Sequence, residues 1–172
     1  MKKINIIRTP LYEIRKSEIG GIGLFSLYNF RKDEIIIDSN HFDDDVFLTW
    51  DEIKKLDPET KRKIQEFCLG TPLGAYLPKD FNYLTIPWHM NHSCDGNVGF
   101  DKNGNFIAKR KISKNEELCW DYGLGESNPK FKMFCNCGSE RCRKVITGND
   151  WKNQKFIEEN REYMFRELFC SN

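Results

Sequence analysis

Residues 88–97 read Trp-His-Met-Asn-His-Ser-Cys-Asp-Gly-Asn, and how this stretch is understood decides the fold. Two of the chain's three histidines, a cysteine and two asparagines fall between His89 and Asn97. Such a run suits a metal site, a nucleophile beside its base, or a polar turn. Residues further along the chain separate these readings.

Residues 135–142 read Cys-Asn-Cys-Gly-Ser-Glu-Arg-Cys, a C-x-C-x4-C cluster. Zinc takes four tetrahedral ligands, and thiolates are its usual structural partners. Cys135 and Cys137 can offer both sulfurs to one ion, and Cys142 returns after the Gly138 turn. No neighbouring residue suits a base for metal-bound water, so a fourth ligand is expected from elsewhere, with Cys94 the candidate. Cys68, Cys119 and Cys170 stand alone and read as small buried hydrophobes. Seven cysteines at irregular spacing, with no export signal, argue against a disulfide framework. With no export signal and no membrane span in the sequence, the chain is expected to stay in the cell, cytoplasmic or nuclear, where thiols remain reduced.

The 172 residues allow one well-buried domain with a small appendage. With 27 basic against 26 acidic residues, no global field recruits nucleic acid or an anionic membrane. The Lys61-Arg62-Lys63 run reads as a solvated helix face. No apolar stretch approaches the ~20 residues that span a bilayer. The opening Met-Lys-Lys-Ile-Asn-Ile-Ile segment is too short for a signal-peptide core. No membrane partner and no direct nucleic-acid binding are expected.

Short apolar runs at residues 4–7, 11–14, 24–30 and 34–37 predict a strand meander, with a tight bend at Gly20-Gly21-Ile22-Gly23. Thr49-Trp50-Asp51-Glu52 matches a capping box and Asp57-Pro58 a second helix start, so residues 50–69 read as a helical insertion stopped by Gly70. Asp101–Gly104 predicts a hairpin turn with positive φ at both Asn103 and Gly104. Apolar residues near helical spacing predict a helix from Asp150 to Phe169. The residues alone thus give one mainly-β domain with helical inserts and a cysteine-bearing extension.

Four pieces, taken in order, resemble the SET-domain protein lysine methyltransferases with a post-SET zinc knuckle. They are Gly21-Ile22-Gly23, Asn91-His92-Ser93-Cys94 with Asn97, Glu117-Leu118-Cys119-Trp120-Asp121-Tyr122, and the Cys135/Cys137/Cys142 knuckle. The resemblance covers roughly residues 10–147 and implies a mainly-β SET-domain fold, small curved sheets around a pseudoknot. There the Tyr122 segment would pass beneath a loop near Asn91. It also implies a SET domain over 1–125, a post-SET zinc-binding segment over 126–147 and a C-terminal helix over 148–172.

By the same resemblance S-adenosylmethionine is the methyl donor. Gly21, Ile22, Gly23, Asn91 and His92 would bind it, Asn91 at its amino-acid end and His92 at the adenine, with Phe134 and Asn136 added from the knuckle. Cys94 would turn away to complete one structural zinc with Cys135, Cys137 and Cys142. Tyr122 would lie beside the methyl and the incoming nitrogen; Tyr83, ahead of Tyr76, is the candidate for a second active-site tyrosine. The acceptor would be a lysine of a protein or peptide, histone included. The chain departs from the family pattern at Trp88-His89-Met90, where Arg-aromatic is usual, and at Gly96, where Pro is common and Gly implies a looser turn. Trp120 occupies the position that influences how many methyl groups are added.

In-line transfer from a sulfonium to an amine needs no protein nucleophile, only alignment within ~3–3.5 Å and a neutral amine. Burial in an aromatic channel supplies the second condition. Two other readings compete. One is a non-enzymatic, zinc-stabilised SET-like interaction module. The other is a zinc-ribbon-like nucleic-acid binder using Arg141, Arg143 and Lys144, which the balanced charge disfavours.

Overall fold

The computed structural model describes residues 9–42, 45–165 and 168. The predicted strand at residues 4–7, Cys170 and part of the predicted C-terminal helix lie outside them.

Strands β1 (Tyr12–Lys16) and β2 (Ile22–Ser26) form an antiparallel hairpin. Ser17 N–H donates to Gly21 O at 3.1 Å, and Gly21 turns the chain at φ +53°, a left-handed conformation that glycine adopts freely. Strand β3 (Ile35–Ile37) follows, then β4 (Val46–Thr49), helices α1 (Trp50–Ile53) and α2 (Pro58–Phe67), and strands β5 (Leu69–Gly70) and β6 (Gly74–Leu77). The insertion is therefore helical, and both start signals operate. Thr49 and Glu52 exchange capping-box hydrogen bonds, and Asp57 accepts from Thr60 N–H at 3.0 Å. On α2, Arg62 pairs with Glu59 and Glu66 at helical spacing, which makes the basic run a solvated face.

Gly70 is not a helix stop. Helix α2 ends at Phe67, and Gly70 lies in β5, where a Cβ would sit 2.8 Å from Asn128 Cβ and 2.9 Å from Glu126 Oε1. Close packing by the segment after Tyr122 demands glycine there.

The remaining strands are β7 (Asn91–His92), β8 (Val98–Phe100), β9 (Phe106–Ala108), β10 (Glu117–Trp120), β11 (Lys132–Phe134) and β12 (Val145–Thr147). They complete a seven-stranded sheet in the order β1-β2-β10-β8-β9-β3 with β7 beside β10, a three-stranded β4-β6-β5 sheet, and a β11-β12 ribbon. Leu24 and Leu118 face each other across β2 and β10, and Phe30, Val98, Ala108 and Ile112 join them in a fully shielded core. Each large side chain so buried contributes roughly 1.5–3 kcal/mol. The 101–104 turn has positive φ at Gly104 alone. The Asp101 carboxylate accepts from Asn103 N–H at 2.8 Å and Asn105 N–H at 2.9 Å, which holds Asn103 in an ordinary conformation within a wider loop.

One crossing positions the site. Strand β10 runs parallel to both β7 and β8. The 93–97 link between those two strands lies against it: Ser93 N–H donates to Trp120 O at 3.1 Å and Cys119 N–H to Asn97 Oδ1 at 3.0 Å. A Cβ on Gly96 would lie 2.8 Å from Cys119 O and from Trp120 Cα. Gly96 therefore does not loosen the turn; it lets two backbones touch.

The C-terminal segment is helical but broken. A 3-10 turn at Asp150–Lys152 precedes α3 (Gln154–Asn160), and a second 3-10 turn spans Arg161–Tyr163. Asn153 restarts the helix by accepting from Phe156 N–H at 3.1 Å, a cap in the middle of the predicted single helix. Among the described residues no helix is long and apolar enough to cross a membrane.

Candidate functional site

The crossing brings Gly20–Gly23, Asn91–Cys94 and Glu117–Tyr122 together. Asn91 Nδ2 donates to Ile22 O at 2.9 Å and to Glu117 Oε1 at 2.9 Å, and Ser17 Oγ donates to the same carboxylate at 2.8 Å. A Cβ on Gly23 would overlap Glu117 Oε1, so Gly23 leaves room for this Asn91–Glu117 pair. Glu117 is thus a member of the site that the sequence reading assigned only to a motif.

His92 is buried, and its ring faces inward. Nδ1 accepts from Tyr122 N–H at 3.1 Å, which leaves the proton on Nε2, 3.4 Å from Cys94 Sγ. Burial lowers its pKa to about 4, so the ring stays neutral near pH 7 and can keep accepting from Tyr122. The imidazole therefore links the tyrosine's backbone to the cysteine cluster.

Tyr122 borders a cavity of 240 Å³ walled by Phe42, Phe100, Phe106, Trp120 and Phe131 and reaching Ile22 and Asn91. Its hydroxyl donates to Met90 O at 3.1 Å, and burial raises its pKa well above the ordinary phenol value. Trp120 packs on it at 4.9 Å between ring centroids. Trp88 also borders this cavity, and its buried indole N–H has no hydrogen-bond partner among the described residues.

Cys94, Cys135, Cys137 and Cys142 place all four sulfurs within 4.8 Å of one another, with Cys94 Sγ and Cys135 Sγ 3.9 Å apart. Four thiolates at ~2.3 Å from a tetrahedral zinc lie about 3.8 Å apart, so the cluster fits that ion. Besides His92, the backbone N–H groups of Arg143 and Cys137 point at these sulfurs, at 3.3 Å and 3.5 Å. Such donors suit sulfur that carries negative charge. Cys68 and Cys119 lie outside the cluster as free thiols, burial pushing Cys68 up to about 12.

Arg143 ties the cluster to the crossing. Its guanidinium holds Asp121, 2% exposed, through two hydrogen bonds of 2.6 Å, and reaches Asp150 at 3.1 Å. Arg141 is paired with Glu159. The arginines that a nucleic-acid reading would give to phosphate thus have internal partners. Sequence reasoning missed the Asp121–Arg143 pair, because residues 22 apart announce no contact. Arg143→Met should lower stability by about 2–3 kcal/mol, at the low end for a lost buried partner because Arg143 is partly exposed. Chemical denaturation checks this, and Asp121→Asn added to it should restore part of the loss.

The other predicted residues lie elsewhere. Tyr83 is 81% exposed and does not border the cavity, whereas Tyr76 does. Phe134 is 79% exposed and Asn136 exposed; from that segment it is Phe131 that reaches the cavity.

The family described as "SET domain" matches residues 21–123. Human "Histone-lysine N-methyltransferase 2B" is 28% identical over 148 residues, 77% of this chain and 5% of that protein. Drosophila melanogaster "Histone-lysine N-methyltransferase trr" is 30% identical over 141 residues, 76% of this chain and 6% of that protein. Human "Histone-lysine N-methyltransferase 2D" is 40% identical over 63 residues, 33% of this chain and 1% of that protein. The chain thus spans a small part of the length of these relatives.

Proposed function

The chain belongs to the SET-domain family, and from that premise we propose that it transfers methyl groups from S-adenosylmethionine to the side-chain amine of lysine in a protein substrate. The observation that carries this is the Tyr122 hydroxyl, buried in an aromatic cavity directly beside the crossing that holds Asn91 and His92. The relatives named as histone-lysine methyltransferases make a histone lysine the first substrate to try.

Gly21–Gly23 and Asn91 would hold the cofactor. Bound there, the cofactor supplies an electrophilic methyl on a positive sulfur. The chain's residues do the rest. Phe100, Phe106 and Trp120 exclude water and disfavour a charged amine. The Tyr122 oxygen orients the nitrogen lone pair, and Tyr76 takes the place of a second tyrosine on the wall. Cys94, Cys135, Cys137 and Cys142 would hold one structural zinc, and the free thiols suit an intracellular setting.

Mass spectrometry of core histones and mixed proteins, incubated with the purified chain and S-adenosylmethionine, tests this. Mass gains in methyl units on lysine are expected. Retention of zinc with no methyl transfer to any protein would replace the enzyme with a zinc-stabilised interaction module.

A further inference from the structure

Glu126 carries a buried carboxylate that neither the crossing nor the cysteine cluster explains. It is 4% exposed, and its N–H donates to Tyr122 O at 2.8 Å. Glu126 borders the same cavity as Tyr122. Oε2 accepts from Gly70 N–H at 2.8 Å and Oε1 from Asn128 N–H at 2.7 Å. Among the described residues no lysine, arginine or histidine pairs with it. Buried charges are ordinarily paired with an opposite charge, and neutral backbone amides are a weak substitute. The missing cation has a natural source in whatever enters the cavity.

We propose that the Glu126 carboxylate is the counter-ion of the substrate lysine: it draws the ammonium into the aromatic cavity and accepts its proton. This rests on the methyltransferase reading. The balance closes in two steps. One N–H bond of the ammonium breaks and a carboxyl O–H forms, leaving a neutral amine. The amine lone pair then forms the N–C bond to the methyl, while the C–S pair stays on the cofactor's sulfur. The carboxyl proton returns to solvent after product leaves.

Burial raises the Glu126 carboxyl to about 7, against the opposing pull of the Gly70, Asn128 and Ser127 N–H groups. A base titrating there is poised near working pH. The other titratable groups around the cavity are Asp45, Glu66, Cys68, Tyr76, His89 and Tyr122. Burial raises Cys68 and Tyr122 and lowers His89, so these three stay neutral near pH 7, and Glu66 pairs with Arg62. No cation among them competes for Glu126. The same shift fixes a sign for stability. A carboxyl raised from about 4.5 when unfolded to about 7 when folded stabilises the fold below the first value and loses that contribution as pH rises through the second. Glu126→Gln should abolish this decline, as read by thermal unfolding between pH 5 and pH 8.

The decisive experiment uses the zinc-loaded chain with n-butylammonium, and 1-pentanol as a neutral control, following the Glu126 carboxyl carbon by NMR. Butylammonium should lower the midpoint of the titration by one unit or more, and pentanol should not. In Glu126→Gln, butylammonium binding should fall about tenfold or more, with zinc and cofactor still bound; Glu126→Asp should restore part of it. If Glu126→Gln does not fold, the wild-type titration decides alone. A midpoint that ignores butylammonium overturns the proposal and leaves Glu126 as an acceptor for Gly70 and Asn128. Methyl transfer without the ammonium effect therefore sinks this proposal, whereas the ammonium effect without transfer to any protein sinks the methyltransferase reading.

Discussion

Tyr122→Phe is expected to fold, to keep its metal, and to lose about a hundredfold or more in kcat. The substitution removes one oxygen, which donates to Met90 O at 3.1 Å inside the aromatic cavity. Burial holds the phenol protonated well beyond its ordinary range, so it does not act as a phenolate base near neutral pH. What the hydroxyl can do is fix where an incoming nitrogen sits, and misplacing that atom by about 1 Å costs roughly two orders of magnitude in rate. The structural cost is small by comparison. The Met90 carbonyl loses one donor, worth about 1 kcal/mol, while the ring contacts with His92 and Trp120 remain. The expected signature is a large loss in kcat, a pH profile of unchanged shape, and a melting temperature lowered by a few degrees. Near wild-type kcat with a large loss of stability would make Tyr122 a packing residue and end its assignment to the active site.

Where a motif carries its own local physics, the sequence was readable. Thr49 and Asp57 announced two helix starts by capping chemistry that needs no distant partner, and both caps form. The Cys135–Cys142 spacing announced a metal knuckle, and Cys94 joins it from 41 residues away in the chain. The errors share a different cause. Gly70 and Gly96 were read for local backbone freedom, but each is glycine because a remote segment packs against it. Of Tyr83 and Tyr76 it is Tyr76 that borders the cavity, which depends on how β6 pairs with β4 and β5, and spacing does not encode that. Asp121–Arg143 is likewise a product of the crossing, and Glu126–Gly70 joins residues 56 apart. His92 lay between the two kinds. Its presence was legible, while its role required knowing that Tyr122 N–H and Cys94 Sγ lie on opposite sides of one ring.

The second large effect belongs to the metal. Cys135→Ser is expected to release the zinc and, with it, the order of the segment from β11 to β12. Apparent binding free energies of structural zinc run to about 10–16 kcal/mol, as large as the whole stability of many domains. Here the loss should be regional because the donors around the cluster are shared. The N–H groups of His92, Arg143 and Cys137 point at sulfur, and without thiolate charge they lose their acceptors. Arg143 then grips Asp121 from a loosened segment, and His92 supports Tyr122 N–H from one side only. The core around Leu24, Val98 and Leu118 has no ligand in it and should persist. Hydrogen exchange should therefore show lost protection at residues 132–147 and weakened protection at Tyr122 N–H, with β2, β8 and β9 unchanged, and methyl transfer abolished. Chelation of the wild-type chain should reproduce that pattern, and added zinc should reverse it. Full protection and full activity after the zinc is verified absent would show that the four sulfurs pack as thiols, and that the fold around Tyr122 stands without a metal.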